Sequence, residues 1–442
     1  MLLKTSTLWQ IHYFLFGGGH LRQGYLRSDN DTRAYLSQAG TDLLSKSIQW
    51  RESPLVMRNM TDQTKAICII SFPWASPAPY IFLSNLLEIL DSLPYPVVLV
   101  DGNTDRIDIP GKKVTVKDIG IGIYYFRKTQ SKRYSDFLFI LKMAGIQLKT
   151  SWELLKLSNK VSLIIFYGAY PYYLVPVLVA KLLRLKTIEI VNRSRKEAPK
   201  SLVEKLLKMQ ERAIMPLFDY ICPQSPSLIS QKDSKAYARK ILPVGARYVP
   251  DSFTSKSDIL TRKRKVGYIG RVSEEKGIQN FMQAIPAILH QEQDIEFIVG
   301  GDGLLLNKLK KNFGRADYPI TFTGWLSRER TITQLNELKL LVLPTEHAEG
   351  LPTIVLEAMA CGTPVLASPA GGIVDVIADG QTGFILPNNS PSCITKRVLS
   401  ALNWGDLQVI SRNGQKLVEL NYRKNSAIER YNKIIELALQ DS

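Results

Sequence analysis

The strongest constraint in this chain is a rhythm. From about residue 65, short β-branched runs alternate with longer helical stretches, and near residue 265 the alternation begins again. Runs of this kind, each separated from the next by enough residues for a helix, call for crossover connections, and crossovers build parallel sheets covered by helices. The first series predicts strands at Ala66–Ile70, Pro96–Asp101, Val161–Phe166, Thr187–Val191 and Tyr220–Cys222, with helices over 80–92, 133–158, 172–184 and 201–215. A polar stretch with Pro and Gly, Pro243 to Ser257, then breaks the pattern. The second series predicts strands at Lys265–Ile269 and near 295–300, 319–323, 340–344, 364–368 and 383–386. Its helices fall near 277–290, 304–313, 328–338, 353–361 and 391–402. The expectation is an α/β chain of two doubly wound, Rossmann-like domains facing a cleft, residues 64–250 and 251–425. Residues 1–63 lack a clear period and stand as an extension.

Size and composition agree with that count. The 442 residues exclude a single small module, and 45% hydrophobic with 22% charged residues excludes wholesale disorder, a collagen-like chain or a polytopic membrane protein. The single Lys4 and the short apolar patch from Ile11 to Phe16 are too weak for a secretory signal and too short to cross a bilayer, so the expected location is the cytoplasm. The four cysteines, Cys68, Cys222, Cys361 and Cys393, lie far apart with no CxxC pair and read as thiols in a reducing compartment. His12, His20, His290 and His347 are the only histidines and have no zinc-ligand spacing, so no metal is expected.

The net charge of +17 is unevenly placed. Residues 1–250 hold 35 Lys and Arg against 19 Asp and Glu, whereas residues 251–442 hold 22 against 21. Such a field suits nucleic acid, an anionic membrane surface or phosphate-bearing substrates. Within it, residues 127–160 carry eight basic and two acidic side chains, and Lys142, Lys149 and Lys156 recur every seven residues on one helical face beside many apolar ones. Two readings fit that segment: a helix packed on its sheet with a solvated lysine stripe, and a basic amphipathic helix on an anionic lipid surface.

Two segments carry chemistry. Gly267-Tyr-Ile-Gly-Arg-Val-Ser-Glu-Glu-Lys-Gly277 runs from a strand through a glycine turn at Gly270 into a helix, with Arg271 and Lys276 on the loop. Two cations beside backbone N–H groups at a helix start suit a diphosphate. Later, Leu341-Val-Leu-Pro-Thr-Glu-His-Ala-Glu-Gly-Leu-Pro-Thr353 leads from a buried strand through a loop into a helix, placing Glu349 on the loop and Glu357 in the helix. A helix carboxylate can accept two hydrogen bonds from a cis-diol such as a ribose, and one on the loop can meet sugar hydroxyls.

Together with Gly301-Asp-Gly303, Phe322-Thr-Gly324, Pro364-Val365 and Gly371-Gly372, these segments make the stretch from Gly267 to about Leu386 resemble the donor-binding half of the retaining glycosyltransferases of the GT-B fold, family 4, the group 1 glycosyltransferases. The resemblance is weaker over 64–250. It implies that Arg271 and Lys276, beside the Gly270 turn, hold a donor diphosphate, that Glu357 binds the ribose, and that Glu349 meets the transferred sugar or reacting centre. Backbone amides of Gly350, Leu351, Pro352 and Thr353 would line sugar and phosphate, Pro352 through its carbonyl alone. Gly301 and Gly303 shape a turn. It further implies a nucleotide-sugar co-substrate, no metal or other cofactor, transfer of a hexosyl unit with retention to a carbohydrate or lipid-linked acceptor, and a last helix, 426–442, crossing back to the first domain.

The first domain departs from the family pattern. The loop after its first strand reads Ser71-Phe-Pro-Trp-Ala-Ser-Pro-Ala-Pro-Tyr80 without glycines, and the run Phe166-Tyr-Gly-Ala-Tyr-Pro-Tyr-Tyr173 has no histidine. Tyr167 stands near the place of that histidine, either touching substrate or packing as an aromatic. Other readings on the same fold are a nucleotide-sugar epimerase, a phosphorylase or an inactive binding scaffold. A basic nucleic-acid binder would leave the two glutamates unexplained, so no nucleic acid is expected.

Overall fold

Strand β1, Ala66–Ser71, is buried along its whole length and sends Ile67 and Ile69 to one face and Cys68 and Ile70 to the other. That is the signature of a central strand covered on both sides. In the computed structural model, residues 65–71, 78–102, 113–119, 132–168, 173–191, 202–228, 236–242, 247–314, 318–345 and 350–440 are described. Around β1 assemble β2 (Val97–Asp101), β3 (Val114–Asp118), β4 (Val161–Tyr167), β5 (Lys186–Val191) and β6 (Tyr220–Pro223), all parallel, in the order β3-β2-β1-β4-β5-β6. Strand β3 was not expected from the sequence. Its Val-Thr-Val-Lys-Asp run is half-buried or exposed, because a sheet edge needs no continuous apolar run.

Helices α1 (Ala78–Asp91), α2 (Lys132–Leu157), α3 (Leu174–Leu182) and α4 (Leu202–Ile214) cover this sheet. Leu83, Leu86, Leu87 and Leu90 of α1 fill one face, while Ile146 and Leu154 of α2, Val177 of α3 and Ile214 of α4 fill the other.

The second sheet repeats the plan. Strands β7 (Lys265–Ile269), β8 (Glu296–Gly300), β9 (Ile320–Gly324), β10 (Leu340–Leu343), β11 (Val365–Ala367) and β12 (Phe384–Ile385) pair in parallel in the order β12-β11-β10-β7-β8-β9. Helices α5 (Ile278–Gln291), α6 (Leu306–Phe313), α7 (Arg328–Glu337), α8 (Thr353–Ala360), α9 (Pro391–Leu402) and α10 (Leu407–Asn421) complete it. Ser327 and Ser390 cap α7 and α9 by accepting from the Arg330 and Cys393 amides. In both units the winding reverses between the first strand and the fourth, β1 beside β4 and β7 beside β10. Doubly wound sheets hold ligands at the carboxyl ends of that pair.

The chain passes between the units twice. Tyr248 belongs to the first core and Val249 to the second; after Tyr422, packed on the second core, Ala427 lies in the first. The last helix, α11 (Lys424–Gln440), sets Tyr431, Ile434, Ile435 and Ala438 into the first core beside α1. The two crossings are bonded together: the Val249 amide donates to the Tyr422 carbonyl at 2.7 Å, and Arg423 donates to the carbonyls of Pro250 and Phe253. Buried Arg262 clamps the entry to the second unit, donating to the carbonyls of Leu335, Leu338 and Cys361 and to the Thr363 hydroxyl. Cys68, Cys222 and Cys361 are buried, Cys393 is half-buried, and all four are free thiols.

Candidate functional site

The loops leaving β7 and β10 meet at the reversal point of the second sheet. The β7 loop is pinned first: the Gly270 amide donates to Gly300 O at 3.0 Å, the Val272 amide to Asp302 O at 2.9 Å, and the Tyr268 hydroxyl to Arg271 O at 2.5 Å. A single 3-10 turn, Glu274–Lys276, then leads through Gly277 into α5. Gly277 has φ +67°, and a Cβ there would lie 1.9 Å from the Pro344 carbonyl oxygen at the end of β10. Only glycine allows that approach. The Thr345 hydroxyl closes the joint by donating to Glu275 O at 3.3 Å.

The predicted cations sit on this joined pair of loops. Arg271 is 65% exposed and rests 3.4 Å from a Glu275 carboxylate oxygen. The Ser273 hydroxyl donates to the same oxygen at 2.7 Å, and chiefly that bond, with Arg271 and Lys276 assisting, holds the Glu275 carboxyl below the usual range. An exposed pair of this kind is weak and gives way readily to a stronger anion. Lys276 is half-buried on the 3-10 turn.

From β10 the chain reaches α8. Among the described residues no side chain caps its first turn and no acidic residue stands there; because α8 follows a parallel strand, its first amide groups and the positive end of its dipole lie at the carboxyl end of β10. Gly350, Pro352 and Thr353 are half-buried at this start, while Leu351 is buried and offers a ligand only its backbone. One turn into α8, burial pushes the Glu357 carboxyl up to about 7, against the opposing pull of the Arg328 charge and a hydrogen bond from Thr353. Glu349 lies outside the described residues. The structure thus brings Gly270, Arg271, Lys276, Gly350, Leu351, Pro352, Thr353 and Glu357 to the β7 and β10 ends of one sheet.

A cavity of about 460 Å³ opens where β10, β11 and β12 end, with Thr345, Ser368, Asn388 and Asn389 as its polar lining; Thr345 links it to the β7 loop, and none of the predicted site residues lines it. A Cβ at Gly301 would lie 1.9 Å from the Gly270 carbonyl oxygen and one at Gly303 2.3 Å from that of Val272, so both positions suit the turn the sequence assigned to them. Tyr167 is fully buried in the first core, where the Gln224 side-chain amide donates to its hydroxyl at 3.5 Å. Among the described residues no group of three or more His, Cys, Asp or Glu is arranged to hold a metal, and no helix is long and apolar enough to cross a membrane.

Two features escaped the sequence. Arg328, first residue of α7, reaches the field of Glu357, yet Ser327-Arg-Glu-Arg330 reads as an ordinary solvated helix start. The other is a clasp between the units. Asp375 accepts from the Ser225 hydroxyl and from the Ser227 amide, and the Ser227 hydroxyl donates to Gly371 O at 2.7 Å. Burial raises the Asp375 carboxyl, and the serine donors oppose the rise. Gly372 is needed here, because a Cβ would come within 2.6 Å of Ser225 Oγ and 2.8 Å of Leu351. The Gly371-Gly372 pair was visible in the sequence, but the serines that meet Gly371 and Asp375, 144 to 150 positions away from them, carried no signal.

Residues 263–403 match the family model described as Glycosyl transferases group 1. An uncharacterized glycosyltransferase of Methanocaldococcus jannaschii, MJ1069, is 30% identical over 179 residues, 39% of this chain and 45% of that protein. The capsular polysaccharide biosynthesis glycosyltransferase CapM of Staphylococcus aureus is 25% identical over 181 residues, 40% of this chain and 47% of that protein. The chain spans less than half the length of these curated relatives. The crystal structure of Anabaena Alr3699/HepE in complex with UDP superposes with a TM-score of 0.62 at 16% identity, over 84% of this chain and 99% of that one. The two-unit architecture is the GT-B fold.

Proposed function

We propose, from the match of residues 263–403 to the glycosyl transferases group 1 model, that the chain is a metal-independent retaining hexosyltransferase using a nucleotide-sugar donor. The observation that carries this reading is the joint between the β7 and β10 loops, with Arg271, Lys276 and the start of α8 at one sheet end. The donor diphosphate lies against these cations and amides, and Glu357 accepts from the ribose hydroxyls. Glu349 meets the transferred sugar.

Departure of a nucleoside diphosphate builds negative charge on the leaving oxygen. Fixed cations and a helix N-terminus offset that charge where other enzymes use a metal ion. The acceptor hydroxyl attacks from the side on which the diphosphate leaves, and the leaving phosphate oxygen takes its proton, so the anomeric configuration is kept. The UDP held by Anabaena Alr3699/HepE supports a nucleoside diphosphate donor, and CapM supports an acceptor of the polysaccharide kind, carried on a lipid in this reading.

The test is turnover of a donor panel with proton NMR of the product. Lys276→Ala is expected to lower turnover by about a hundredfold, the usual cost of losing one preorganised electrostatic donor. Turnover within threefold of wild type would remove Lys276 from the site, and an inverted product would overturn retention.

A further inference from the structure

The described residues expose fifteen large hydrophobic side chains, and nine of them fall on three neighbouring helices of the first unit, α2, α3 and α4. On α2, Ile140, Leu141, Leu148, Trp152 and Leu155 make one stripe; Leu148 is 64% and Trp152 60% exposed, while Met143, Ile146, Leu154 and Leu157 face the core. Leu178 and Leu182 of α3, the latter 83% exposed, and Leu206 and Met209 of α4 are exposed on the helices packed alongside. An apolar face of this extent on a water-facing helix layer marks an interaction surface.

Charge identifies the partner. Lys142, Lys149 and Lys156 follow one another at seven-residue spacing along the edge of the α2 stripe. Lys156 donates to Glu153 at 2.7 Å and lies 5.5 Å from the Trp152 ring centre, which holds its ammonium beside the stripe, and Lys149 donates to the Ile119 carbonyl at 3.2 Å. Lys205 and Arg212 flank Leu206 and Met209 in the same way on α4. Apolar side chains bordered by cations, with a tryptophan between, match the acyl boundary and the anionic headgroups of a bilayer in depth and sign.

We propose that the α2–α3–α4 layer docks on an anionic phospholipid surface, with Leu148 and Trp152 in the acyl boundary and the lysine row at the headgroups. The proposal stands apart from the donor chemistry of the second unit. The test is co-sedimentation with vesicles of phosphatidylcholine containing about one-third phosphatidylglycerol, at physiological ionic strength of about 0.15 M. Wild type should sediment with these vesicles and stay in solution with pure phosphatidylcholine.

Leu148→Ser with Trp152→Ser, and separately Lys142→Gln, Lys149→Gln and Lys156→Gln together, should each weaken binding tenfold or more. The lysine set should approach about a hundredfold, at about fivefold per cation near an anionic leaflet. Both variants should melt as wild type does and keep their stabilisation by nucleotide sugars, which separates a failed docking surface from a failed donor site. Wild type left in the supernatant, or both variants binding like wild type, would overturn the proposal. A wild-type dimer that the Leu148→Ser and Trp152→Ser changes make monomeric would also overturn it, because a second copy would then cover the face.

Discussion

Glu357 is the residue in which burial and chemistry pull against each other. Its carboxyl is pushed up to about 7 by desolvation, yet holding a diol requires the ionised, accepting form. Binding therefore favours deprotonation, and donor affinity should rise with pH and level off above 8. Isothermal titration with a nucleotide sugar, whose diphosphate does not titrate in this window, should show about tenfold tighter binding at pH 8 than at pH 6. The stability of the empty protein runs the other way. A carboxyl whose folded value exceeds its unfolded one binds more protons folded, so stability falls as pH rises from the ordinary carboxylate range through about 7. Glu357→Gln should flatten both profiles, and an unchanged affinity profile in that variant would separate Glu357 from the donor. The sequence disclosed this residue through its place on a helix after a glycine-proline loop, but not its raised carboxyl, which comes from burial against the opposing charge of Arg328 on α7 and which no local pattern records.

At the scale of elements, the β7 and β10 loops form one device. Gly277→Ala would force an L-residue into φ +67° with a Cβ 1.9 Å from Pro344 O. We expect a loss of at least about 2 kcal/mol in urea unfolding, or a native fold whose loops have parted and no longer bind donor. Wild-type stability together with wild-type donor affinity would contradict the joint. What was legible at this scale follows from burial. Central strands such as β1 and β7 must be apolar on both faces and so announce themselves as runs, whereas β3 at an edge is free to be Val-Thr-Val-Lys-Asp and does not. For α2 the sequence showed the lysine row; that Leu148 and Trp152 face outward while Ile146 and Leu154 face the sheet depends on how the helix is rotated, which only packing decides.

The whole molecule is two similar units joined by a hinge and a clasp. At the hinge, the Tyr248 hydroxyl and Lys424 both donate to Glu88 of α1, next to the two bonded chain crossings. The clasp is Ser225 and Ser227 on Asp375, close to the start of α8 through Gly372 and Leu351. In the proposed reaction donor and acceptor sit on opposite units, and the clasp is a direct bond between those units. Asp375→Ala should lower kcat/KM by about tenfold or more, the weight of hydrogen bonds to a charged group. The loss should come with an increased radius of gyration in solution scattering and unchanged helix content, and unaltered kinetics would make the clasp incidental. The alternation of runs foretold two doubly wound units, because each repeats the same local rule, whereas the clasp joins residues 150 positions apart and had no local signature.

The central claim, that Arg271, Lys276 and Glu357 together clasp a nucleotide sugar, is tested most directly by thermal unfolding of wild type and of Lys276→Ala with UDP-, GDP- and ADP-sugars. One donor class at a hundred times its dissociation constant should stabilise wild type by about 2.7 kcal/mol. The same donor concentration should leave Lys276→Ala largely unshifted. No shift with any donor, or an equal shift in the variant, would contradict the account.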